Sequence, residues 1–71
     1  MPRLRPIDGR DLFKILCNKF GFRKVRQRGT HVTLQRNGIF VTVPMKEIRV
    51  GLLSRIVGDC RISRNDFLAV L

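Results

Sequence analysis

Asn37-Gly38 separates two stretches that alternate apolar and polar residues, and this limits the fold more than any other feature. Both residues tolerate the positive φ of a type I′ turn, so an Asn-Gly flanked by alternation marks a two-residue hairpin. Before the turn, Thr30 to Arg36 places Val32 and Leu34 on one side and His31, Thr33 and Gln35 on the other. After it, Ile39, Val41 and Val43 alternate with Phe40 and Thr42, and Pro44 closes the strand. The apolar sets of both strands should share a core face. A third strand is expected over Phe22 to Gln27, with Val25 as its central apolar residue and a turn at Arg28-Gly29.

Helical spacing brackets these strands. Leu12, Ile15, Leu16 and Phe20 fall on one face of a helix running from about Gly9 to Phe20, and Phe13 and Cys17 widen the stripe. Asp8 is a suitable N-cap, Asp11 suits the helix dipole, and Gly21 stands where a left-handed terminating residue belongs. After Glu47 the apolar positions Ile48, Leu52, Leu53, Ile56, Val57 and Cys60 form a second stripe, with Gly51 weakening its first turn. Ser63-Arg64-Asn65-Asp66 resembles a capping box and would open a short last helix carrying Phe67, Leu68 and Leu71. The order is α-β-β-β-α with a small terminal helix, an α+β arrangement in one domain spanning residues 1–71. Residues 1–7 are expected as a flexible arm, because Pro2 and Pro6 disfavour regular structure. A lone three-stranded sheet cannot bury its apolar side, so the two main helices must cover one face and leave the other wet.

Charge indicates what that wet face meets. Fifteen Lys and Arg against five Asp and Glu give a formal net charge of +10, which attracts polyanions. No acid occurs between Leu12 and Lys46, a stretch holding Lys14, Lys19, Arg23, Lys24, Arg26, Arg28, Arg36 and Lys46. Arg outnumbers Lys 11 to 4, and its planar fork matches phosphate oxygens. An acidic protein would compete with nucleic acid for the same surface. No apolar run approaches the roughly 18 residues of a membrane span, and Met1 to Pro6 lacks the apolar core of a signal peptide, so a cytoplasmic protein is expected. Cys17 and Cys60 are too far apart in sequence for a zinc or redox pair and read as small hydrophobes.

His31, the one histidine, falls on the wet side, where Lys24 and Arg26 are also expected, opposite in phase to Val25. Arg28 lies at the adjoining turn. Cleaving RNA without a metal requires a base for the 2′-OH proton, an acid for the leaving oxygen and cations for the crowded phosphate. Histidine is the natural proton carrier for this. Gly29 offers close backbone approach, and Thr30 a hydroxyl for a phosphate oxygen. A plain binding surface accounts for the same residues, and turn geometry alone accounts for Gly29. The scattered acids Asp8, Asp11, Glu47, Asp59 and Asp66 do not suggest a two-metal nuclease, and no nucleotide-binding fingerprint occurs. No Trp or Tyr occurs and only Phe40 offers a stacking face, so the sequence gives little support to binding by stacked single-stranded bases.

The run Gly21-Phe22-Arg23-Lys24-Val25-Arg26-Gln27-Arg28-Gly29-Thr30-His31 closely resembles the HicA (YcfA-like) toxin family, in which a Gly-Ser/Thr-His triplet follows a Gly-Phe-x-x-x-Arg-Gln segment. Val41-Thr42-Val43-Pro44, Lys46-Glu47-Ile48, Gly51-Leu52-Leu53 and the Asp8 to Leu12 opening fit the same pattern. The resemblance implies a double-stranded-RNA-binding-like fold with a three-stranded antiparallel sheet packed on helices. It implies ribosome-independent, cofactor-free cleavage of mRNA and neutralisation by a HicB-type antitoxin through which any higher assembly forms, the toxin alone being a monomer. The family's catalytic histidine corresponds to His31 and its preceding glycine to Gly29. In one departure, Pro44-Met45-Lys46 is shorter than in many members and lacks a second histidine. The acid is then water, Lys24 or His31 acting twice.

Overall fold

The computed structural model describes residues 3–71. The elements run β1 (Ile7–Asp8), α1 (Gly9–Lys19), β2 (Arg23–Arg28), β3 (His31–Arg36), β4 (Ile39–Pro44), β5 (Glu47–Ile48), α2 (Val50–Asp59) and α3 (Arg64–Leu68). The expected α+β order holds. β2, β3 and β4 form an antiparallel sheet with β3 in the centre, and α1 and α2 pack on one face of it. No helix among the described residues is long and apolar enough to cross a membrane.

Asn37 and Gly38 both take positive φ (49° and 78°), as a type I′ turn requires. The turn sets the register, with Arg36 opposite Ile39, Leu34 opposite Val41 and Val32 opposite Val43. These four inward aliphatics, Val32, Leu34, Val41 and Val43, are all buried. They meet Leu12 and Leu16 of α1, Leu53, Ile56 and Val57 of α2, and Phe67 of α3 in a single core. Asp8 caps α1, accepting from the Arg10 backbone N–H at 2.8 Å, while the Arg10 guanidinium holds its carboxyl below the usual carboxylate range. Gly21, at φ 75°, ends α1 as expected. Ser63 caps α3 through the Asp66 N–H.

Four expectations are corrected. The β2–β3 turn is Gly29-Thr30, one residue later than Arg28-Gly29. Its glycine takes φ 59°, as the first central position of a type II′ turn demands. Val25 does not enter the core but is 43% exposed, because the β2–β3 register shifts between Lys24 and Arg26 and leaves Val25 as the extra residue of a β-bulge. The segment expected as an arm is tied down: Leu4 is buried and Ile7 pairs with Ile48. Met1 and Pro2 lie outside the described residues. The second stripe also divides, with Ile48 buried in β5 and Leu52 of α2 left 45% exposed.

Two contacts fix the helices to the sheet. Gly9 begins α1 against the end of β4, where a Cβ would run into the Pro44 carbonyl, and its N–H donates to the Lys46 carbonyl at 2.8 Å. Arg36 turns inward: its Nη1 donates to the Phe20 carbonyl at 2.7 Å, its Nη2 to the Cys60 carbonyl at 3.4 Å, and its guanidinium lies 4.9 Å from the Phe22 ring centroid. Burial pushes the Cys60 thiol up to about 11, as befits a core hydrophobe.

Urea denaturation should read these contacts directly. Gly9→Ala should destabilise by about 2–3 kcal/mol through overpacking against backbone. Gly58→Ala, whose new methyl meets open space in α2, should stabilise by about 0.5–1 kcal/mol. Arg36→Ala should lose about 2 kcal/mol by leaving the Phe20 carbonyl without its charged donor, and Arg36→Lys should not restore it, since an ammonium lacks the fork that spans both carbonyls.

Candidate nucleic-acid interface

The sheet face turned away from the helices can be read row by row, because directly paired residues of neighbouring strands project to the same side. At the Gly29-Thr30 end, His31 lies between Arg28 and Pro44. The next row is Arg26, Thr33 and Thr42. The far row is Arg23, Gln35 and Phe40. This face displays His31 to solvent while Val32 and Leu34, its chain neighbours in alternation, are buried behind it.

Arg26, Arg28, His31, Thr33 and Thr42, with Gln27 at the edge, line a hollow of about 400 Å³. No described side chain hydrogen-bonds the His31 ring, so both ring nitrogens stay open to a ligand. The three strands carry five cationic residues and no acid. Asp8–Arg10 is the ion pair found among the described residues, far along the chain from these guanidinium groups. The hollow therefore combines an imidazole that can take and return a proton, guanidinium forks that match phosphate oxygens, and two threonine hydroxyls that can donate to them. Among the described residues no three His, Cys, Asp or Glu side chains stand together as metal ligands would.

The turn beside His31 is held by backbone. The Thr30 carbonyl accepts from the Met45 N–H at 2.6 Å, and the Gly29 carbonyl from the Gln27 side-chain amide at 3.0 Å. A Cβ on Gly29 would meet nothing, so positive φ rather than crowding calls for glycine there. Gly29 and Thr30 are exposed at the rim.

Of the residues singled out from sequence, Arg26, Arg28, Gly29, Thr30 and His31 gather at one end of the outer face. Lys24 does not, and this corrects its expected place. The bulge at Val25 inverts the phase of β2, so Lys24 pairs with Leu34 on the helix side. There its Nζ donates to the Gln27 side-chain oxygen at 3.1 Å, beside a second hollow floored by Phe13, Val32 and Met45. Arg23 takes the outward position instead. Thr33 and Thr42 join the hollow without being expected as site residues, although the Asn37-Gly38 turn places them opposite one another by counting back from the hairpin.

A family model described as the HicA toxin of bacterial toxin–antitoxin systems matches residues 9–62, from the start of α1 to just beyond α2. No curated protein and no solved structure matches the chain. The matched span contains the whole sheet, the hollow and His31, and covers well over half of the sequence; the chain belongs to the HicA toxin family.

Proposed function

We propose that the chain is the toxin of a type II toxin–antitoxin pair and acts in the cytoplasm as a ribosome-independent, metal-independent endoribonuclease on mRNA, with His31 as its catalytic residue. One observation supports this above the rest: the single imidazole is exposed on an acid-free face, in cross-strand register with Arg28 and one row from Arg26. In this reading the His31 imidazole takes the 2′-OH proton and the 2′-oxygen attacks phosphorus. The 5′-oxygen then leaves with a proton, giving a 2′,3′-cyclic phosphate and a free 5′-hydroxyl end. Arg28 and Arg26 meet the charge gathering on the phosphate oxygens, while Thr30 and the Gly29 backbone hold the strand at the rim. With Lys24 on the other face, the leaving-group proton comes from the imidazolium formed in the first transfer or from water. The toxin acts as a monomer, and an acidic HicB-type antitoxin neutralises it by covering the cationic face.

A second reading, a non-catalytic RNA-binding module of the same fold, draws on the presence of a single proton-carrying side chain in the hollow. Its signature is binding without turnover.

Incubating purified wild-type and variant proteins with RNA in excess EDTA separates the two. Wild type should cleave, and His31→Ala should lose cleavage by at least about 100-fold, the lower end of a general acid–base contribution. Cleavage retained by His31→Ala ends the catalytic assignment, and binding without cleavage by wild type establishes the module. Arg28→Ala should slow cleavage markedly, whereas Lys24→Ala should leave it near wild type because its side chain lies behind the sheet.

A further inference from the structure

Phe40 is 62% exposed, the most exposed large hydrophobic residue of the sheet. It gains nothing from the core, which Val41 and Val43 reach from the same strand. Its ring stands in the far row of the outer face, next to Gln35, with Arg23 beyond. Gln35 and Arg23 also line a hollow of about 320 Å³ at the hairpin end of the sheet, with Gly21, Arg36, Asn37 and Gly38. Four residue steps along β3 separate this row from His31, about 13 Å at the usual rise of a strand. Between them lies the Arg26–Thr33–Thr42 row.

The three side chains of the far row complement the parts of one nucleotide. An exposed aromatic ring offers a stacking platform to any base, an amide offers a donor and an acceptor to a base edge, and a guanidinium takes the phosphate. We infer that Arg23, Gln35 and Phe40 form a nucleotide subsite that binds one unpaired base of single-stranded RNA on the Phe40 ring, a short stretch of backbone away from the phosphate at His31. The inference rests on the RNA reading of this face and gives it a substrate class. A base paired inside a duplex keeps its faces covered by its neighbours in the helix and cannot lie on the ring, so the subsite selects single strands over the body of a duplex. The row holds a guanidinium and no acid, and the middle row supplies another guanidinium along the connecting path. Continuity of positive charge from Arg23 through Arg26 to Arg28 favours a polyanion lying along the face.

Binding measured in a His31→Ala background keeps the RNA intact and the question separate from catalysis. A short single-stranded RNA carrying 2-aminopurine at successive positions serves as probe, with a blunt RNA duplex as the comparison. Phe40→Ala should weaken single-strand binding roughly 5- to 150-fold, the range for one stacked base. It should also abolish a position-specific quenching of the probe and leave the duplex unaffected. Phe40→Trp should restore both affinity and quenching. Phe40→Ala should leave the salt dependence of binding unchanged, while Arg23→Ala should reduce its slope by about one phosphate contact. Unchanged single-strand affinity in Phe40→Ala, or an equal loss for the duplex, overturns the subsite. So does unaltered RNA binding with loss of a co-expressed acidic antitoxin, which would assign the ring to a protein contact. Wild-type protein that binds through Phe40 yet cleaves nothing in EDTA would overturn the nuclease reading and leave the subsite standing.

Discussion

The pairing of β3 with β4 is the constraint on which the remaining structure depends. A two-residue turn leaves one register available, and period-two projection then assigns every side chain of both strands to a face. A slip of β3 by one residue against β4 would carry Val32 and Leu34 into water and send His31 and Thr33 toward the core. Losing the burial of those two aliphatics, roughly 1.5–3 kcal/mol each, makes such a slip prohibitive. The energy that fixes the core therefore also fixes which groups face outward. His31 is displayed because Val32 beside it and Leu34 beyond are held down.

Packing on the helix side follows from the same asymmetry. α1 and α2 present aliphatic stripes to the inward face, and α3 closes the end with Phe67, whose ring lies 6.4 Å from that of Phe20. Arg36 shows how the sheet treats a cation that falls in the inward phase. It is not expelled but held through its two Nη atoms by carbonyls at the C-terminal ends of two helices, where the dipole favours positive charge, while its buried Nε has no partner among the described residues. Positive charge on β2 to β4 is thus divided by phase: Arg23, Arg26 and Arg28 outward, Lys24 and Arg36 toward the helices.

Periodicity carried most of the fold and half of the site. The α-β-β-β-α order, the β3–β4 hairpin, the Asp8 and Ser63 caps and the Gly21 terminus all follow from local patterns, because each is decided by residues within one or two turns of chain. The bulge at Val25 is not local. Arg23-Lys24-Val25-Arg26 contains one apolar residue, too little to define a phase, so nothing in β2 says on which side Lys24 belongs. The cross-strand register settles it, since Leu34 and Thr33 already have assigned faces. The β1–β5 pair escaped for a similar reason. Two-residue strands have no period, and they form because Ile7 and Ile48 meet over the core after the longer elements are placed.

Two backbone hydrogen bonds and one backbone contact run in sequence from the Thr30 carbonyl to Met45, through Lys46 to Gly9, with Gly9 packed on Pro44. They join the turn beside the imidazole to the start of the first helix without using a single side chain. The backbone beneath the imidazole is therefore fixed in advance, so a ligand settling on this face need not order it, and the entropy that binding must spend is confined to the exposed side chains.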